Sequence, residues 1–194
     1  MGTVHTLSPS MSRTRENSSK RWPDSEFKRV FLEHYGRVVG VLLRLLGDRM
    51  RAEEVANDAF WRLYQQSPMT GSADNVGGWL YRTATNLGID ALRASARRVH
   101  YEQTSGGQSQ NAATQPGPLD AVLVEEKRAR VRAVLASIRP AQAQLLILRA
   151  SGLSYKELAE ALDSKPSGIG TMLNRAEAEF RECYLQMHGT EEEL

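Results

Sequence analysis

One cysteine, Cys183, stands in a chain of 194 residues, so no disulfide can close within it and no Cys/His cluster has the spacing of a zinc site. Four histidines, His5, His34, His100 and His188, share no ligand spacing and read as structural or surface residues. No apolar run approaches the ~20 residues that span a bilayer, and no hydrophobic stretch marks a signal peptide near the N-terminus. The expectation is a cytoplasmic protein without a membrane partner. Alternating strand patterns and internal repeats are also missing, as is any nucleophile, metal or phosphate-loop constellation, which predicts a non-enzyme with no cofactor. Strong positive charge is lacking too. The formal net charge is +2, and residues 119–194 hold ten basic against twelve acidic side chains. Phosphate neutralisation alone therefore cannot hold this chain on nucleic acid; any such binding is local or completed by a partner.

What is present is helical periodicity, predicting an all-α protein of two small domains. Residues 1–23, rich in Ser, Thr, Pro and charge, read as a disordered tail. A first domain follows over 24–102. Asp24 or Ser25 can cap a helix of about five turns carrying Phe27, Val30, Phe31, Val38, Val41, Leu42 and Leu45, which Gly47 can end in the left-handed conformation. Asp48 can cap a second helix with Val55, Ala59, Phe60, Leu63 and Tyr64 on one face and Glu53, Glu54 and Asp58 on the other. Ser67 to Gly78 reads as a loop, and a third helix runs from about Trp79 to Arg98. Leu80, Ala84, Leu87, Ala91 and Ala94 point inward on it, leaving Arg82, Asn86, Arg93 and Arg97 on an exposed stripe able to meet one ligand. Trp79 and Tyr81 resemble stacking platforms, although helical spacing favours core for Trp79.

Residues 103–118 hold no aliphatic side chain larger than alanine and form a flexible linker. Residues 119–187 form the second domain, with helices over Leu119–Ile138, Ala141–Ala150, Tyr155–Leu162 and about Ser167–Met187, before an acidic tail at 188–194. The last two helices have the pattern of a helix-turn-helix. Ser154 caps the first, Leu158, Ala159 and Leu162 face inward, and Lys165, Ser167, Gly168, Thr171, Asn174 and Arg175 offer a polar set to a major groove.

Three segments in order and register resemble the extracytoplasmic-function group of bacterial sigma-70 factors. They are Gly47-Asp48 with Ala52 to Tyr64, then Gly78 to Asn86 with Asp90 to Arg93, and finally Leu153 to Glu160 with Leu173 to Ala176. The resemblance implies sigma regions 2 and 4 joined by a linker that threads RNA polymerase. It further implies docking of the Ala52–Tyr64 helix on the clamp coiled coil of core RNA polymerase, with Glu53, Glu54 and Asp58 as its acidic surface and Phe60 and Leu63 as its apolar one. The polymerase flap is a second contact. Promoter DNA is the other partner, with the minus-ten element opened and a flipped base held by Arg82, Asn86, Arg93, Arg97 and Arg98, and the minus-thirty-five element read by the helix-turn-helix set. The resemblance also allows for an anti-sigma protein. One departure stands out: where the family's recognition helix is commonly basic, this chain has Gly170, Met172 and Glu177, followed by Glu179 and Glu182, so phosphate attraction there is weak. Two other classes are compatible with fewer of these features. A helix-turn-helix regulator acting without polymerase needs neither the acidic face nor the linker, and an enzyme built on Cys183 and His188 lacks neighbours to activate the thiol.

Overall fold

A computed structural model describes residues 22–66, 75–104 and 119–189. The expected tail up to residue 21, the loop residues 67–74, the linker residues 105–118 and the acidic end beyond 189 lie outside the described residues. Seven helices account for the described chain: α1 Asp24–Leu46, α2 Arg49–Gln65, α3 Val76–Thr104, α4 Leu119–Ser137, α5 Pro140–Ala150, α6 Tyr155–Leu162 and α7 Pro166–His188. No strand occurs among the described residues.

Local chemistry sets most of these boundaries. Gly47 ends α1 with φ of 72°, and its amide donates to the Leu43 carbonyl. The Asp48 carboxylate then accepts from the Arg51 amide at 3.0 Å and caps α2. Pro140 opens α5 where its missing N–H costs nothing. Two expectations need correction. Neither Asp24 nor Ser25 caps α1: both lie inside it, Pro23 holds the cap position, and the helix is longer than five turns, with 23 residues. Gly77 and Gly78 belong to α3 rather than to a loop, because the Asn75 side chain accepts from the Gly78 amide at 3.1 Å and starts the helix there.

The first domain, α1 to α3, buries Val38, Val41, Leu42 and Leu45 of α1 against Ala52, Ala56, Ala59 and Phe60 of α2 and Leu80 and Ala84 of α3. A methyl group on Gly88 would stand 2.7 Å from the Leu45 Cδ2 and 2.8 Å from that of Leu42, so the missing side chain is what lets α3 approach α1 so closely. Aromatic rings close one end of the bundle, with Phe31 stacked on Tyr35 at 4.5 Å and edge-on to Phe60 at 5.0 Å. The second domain wraps α4, α5 and α6 around α7 over a core of Leu135, Ile138, Leu145, Leu148, Leu158, Ile169, Leu173 and Tyr184. Arg139, just before α5, is tied to Glu179 of α7 by Nη2 at 2.6 Å, Nε at 3.0 Å and its own amide at 3.1 Å.

These domains do not stand apart. Helices α4, α5 and α6 pack on α3, and the described residues form one continuous hydrophobic core.

Candidate nucleic-acid interface

Helix α3 positions the expected minus-ten set, but it is buried on two sides rather than one. Leu80 and Ala84 face α1 and α2, while Tyr81, Thr85, Ile89 and Leu92 are buried as well. Tyr81 is therefore core and not a stacking platform, and burial pushes its phenol pKa up. Trp79 is half-buried and packs against the core.

The stripe itself divides. Asn86, Arg97 and Arg98 are exposed. Arg82 and Arg93 are only partly so, and both are already engaged by the second domain. The Arg82 Nε donates to the Ala161 carbonyl at 2.7 Å, with Asp163 at 4.0 Å from its Nη2. Arg93 donates from Nε to the Ala136 carbonyl at 3.0 Å and from Nη2 to that of Ile138 at 2.6 Å. The five residues expected to meet one ligand together are thus not equally open, because a guanidinium at a domain boundary satisfies whichever acceptors pack against it.

On α2, Glu54 and Asp58 are exposed and Glu53 pairs with Arg49 at 2.8 Å. Phe60 and Leu63, expected as the apolar docking surface, are instead 2% and 4% exposed and belong to the core. The exposed apolar surface is one step round the helix: Trp61 and Tyr64 form an open groove with Phe27, Phe31 and Asn57, to which the buried Phe60 also contributes. The buried positions 52, 56, 59, 60 and 63 leave Trp61, 55% exposed, off the inward stripe, and that placement was the signal available in the sequence.

The helix-turn-helix forms as its pattern predicts. Ser154 accepts from the Glu157 amide while the Glu157 carboxylate accepts from the Ser154 amide at 2.8 Å, a complete capping box. These bonds to Ser154, then Arg37 across the domain boundary at 3.0 Å, hold the Glu157 carboxyl below the usual range. Asp163 ends α6 in the left-handed region with φ of 53°. On α7, Ile169, Leu173 and Ala176 face inward. Lys165, Ser167, Thr171, Asn174 and Arg175 are exposed on the opposite side and Gly168 is half-buried.

Cys183 is half-buried on α7, and the His188 ring packs on Tyr184 at 5.0 Å. Burial lowers the pKa of His34. Among the described residues no helix is long and apolar enough to cross a membrane, and no group of three or more His, Cys, Asp and Glu side chains is placed to hold a metal.

Two segments match known families: residues 30–98 match sigma-70 region 2 and residues 128–180 match sigma-70 region 4. The first spans most of α1 to α3 and the second most of α4 to α7. Among similar proteins, the ECF RNA polymerase sigma factor SigE of Mycolicibacterium smegmatis is 28% identical over 160 residues, covering 82% of this chain and 61% of its own. The probable ECF RNA polymerase sigma factor SigI of Mycobacterium tuberculosis is 28% identical over 153 residues, 77% of this chain and 52% of its own. The ECF RNA polymerase sigma factor SigW of Bacillus subtilis is 24% identical over 178 residues, 88% of this chain and 95% of its own. The chain thus spans between half and two thirds of the first two relatives and nearly all of the third.

Proposed function

Because the chain belongs to the extracytoplasmic-function group of the sigma-70 family, we propose that it binds core RNA polymerase, directs it to promoters and assists opening of the minus-ten element. Regions 2 and 4 in one chain, in that order, are the observation that carries this reading. Asn86, Arg97 and Arg98 offer an amide and two guanidiniums for an extruded base and its strand, joined by Arg82 and Arg93 once the second domain moves away. Lys165, Ser167, Gly168, Thr171, Asn174 and Arg175 read the minus-thirty-five element. The α2 face of Glu53, Glu54 and Asp58, with Trp61 and Tyr64 in place of Phe60 and Leu63, docks on the clamp coiled coil, and region 4 meets the flap. The chain works in the cytoplasm, catalyses nothing itself, and is open to control by an anti-sigma protein.

Transcription in vitro with core polymerase on genomic promoter fragments tests this. The expected result is promoter-specific initiation that requires the chain, together with poor duplex binding by the chain alone. Tight, specific duplex binding without polymerase at physiological salt would instead establish an independent helix-turn-helix regulator.

A further inference from the structure

The seam between the two regions is closed by buried polar groups. Gln144 of α5 and Thr85 of α3 meet across it, the Gln144 amide donating to the Thr85 hydroxyl at 2.6 Å and to the Arg82 carbonyl at 3.1 Å. Helix α7, by contrast, packs on α4, α5 and α6 of its own domain and keeps its other side open. Thr171, Asn174 and Arg175 are exposed there, three and four residues apart on one helical face. No side-chain bond among the described residues occupies the Asn174 amide.

That open side has little with which to hold a phosphate. Met172 turns back into the bend before α7, where the Ser164 hydroxyl donates to its Sδ at 3.6 Å. Glu177 and Glu182 are exposed, and Glu179 is taken up by Arg139. Phosphate contacts carry no sequence information in any case; bases are told apart by the donors, acceptors and methyl groups on their edges. Thr171 and Asn174 are short, and they reach those edges only if the helix backbone sits deep in the groove. Gly168 and Gly170 permit that approach: a methyl group on Gly168 would meet nothing within 4 Å and one on Gly170 only the Tyr155 ring at 3.9 Å, so packing inside the chain does not ask for glycine at either position.

We propose that Asn174 is the specificity-determining residue of the minus-thirty-five contact: its amide reads an adenine in the major groove, Nδ2 donating to N7 and Oδ1 accepting from the N6 amine, while the Thr171 methyl packs on the 5-methyl of a thymine in an adjacent pair. It rests on the reading of α6 and α7 as the duplex-binding unit. Residues three apart lie about 4.5 Å along a helix, and base pairs are stacked about 3.4 Å apart, so the two side chains address neighbouring pairs. Discrimination at these positions does not come from charge, and it survives a rise in salt that weakens binding as a whole.

In the test, duplexes randomised over roughly ten base pairs, about one helical turn, are selected by the full chain with core polymerase and, in a second arm, by the full chain alone at low salt, where weak duplex binding is strengthened. Sequencing gives the base preferences of wild type and variants. Wild type should enrich one adenine over the other bases by at least about tenfold, next to a pair with a preferred thymine. Asn174→Ala should lose that adenine preference alone, with the salt dependence of binding unchanged, and Asn174→Arg should turn it to guanine. Thr171→Ser keeps the hydroxyl, removes the methyl and should weaken the thymine preference only. Both positions are exposed, so circular dichroism should show wild-type helicity. A wild-type chain that enriches no adenine overturns the assignment, whether or not the variants fold. So does a folded Asn174→Ala with the wild-type preference, or a folded Asn174→Arg that tightens on all sequences alike, as a phosphate contact would. If promoter fragments are not transcribed yet Asn174 still selects adenine, the initiation-factor reading falls and this one stands; transcription with no dependence on that adenine has the reverse meaning.

Discussion

Neighbouring residues on α2 do opposite work. Phe60 packs against the stacked rings of Phe31 and Tyr35 and is nearly inaccessible although it lines the groove, whereas Trp61 next to it is 55% exposed there. Truncating a buried aromatic leaves a cavity and typically costs about 3–5 kcal/mol. Phe60→Ala should therefore lower stability by about that amount in denaturant titrations, while Trp61→Ala leaves it within about 0.5 kcal/mol. In competition for core polymerase, the Trp61 variant should be the weaker binder. Asn86 offers a parallel test on α3. Because its side chain is exposed, Asn86→Ala should leave helicity intact and reduce open-complex formation by roughly tenfold, the effect of one lost recognising hydrogen bond. A template already open across the minus-ten element should restore most of that activity, and wild-type rates on a fully duplex promoter would reduce Asn86 to a structural residue.

At the scale of elements, the helix-turn-helix was readable because its boundaries are set by adjacent residues. Ser154 and Glu157, three apart, cap α6, and Ser154→Ala should cost about 1 kcal/mol. The Glu157 carboxyl adds a pH dependence with a definite sign. Its folded pKa lies below the ordinary 4.5, so the folded chain binds fewer protons than the unfolded one in that region. Its contribution is complete above about pH 4.5 and disappears as pH falls through the lower folded value; Glu179, held down by Arg139, acts in the same direction. Urea midpoints measured from about pH 6 down to about pH 3 should fall, and somewhat less steeply in Ser154→Ala, which keeps the backbone bond to Glu157 but removes the hydroxyl's, the second cause of its shift. Less was legible in α3. Periodicity gave its inward face toward α1 and α2, yet a second buried face through Tyr81, Thr85, Ile89 and Leu92 exists only because α4, α5 and α6 lie against it, and no spacing within one helix names a partner distant in the chain. Gln144, an amide flanked by Ala143, Leu145, Leu146 and Leu148, was a local hint of a buried polar contact.

For the whole molecule, two domains joined by a flexible linker were expected, with the arginine stripe exposed. Composition identifies a segment that builds no core, but it does not say whether the flanking units meet. Docking one region on another also changes how fast the chain can act. The α2 face proposed to meet polymerase is exposed in this packing, so docking on it need not wait for the regions to part, whereas any step that uses Arg82 and Arg93 must. In rapid mixing with core polymerase, the docking rate should therefore rise linearly with polymerase concentration, followed by a slower concentration-independent phase in which the regions part, faster in Gln144→Ala. Seen this way, the glutamine that joins α5 to α3 acts as a timer: it sets how long a docked chain waits before its α3 arginines come free.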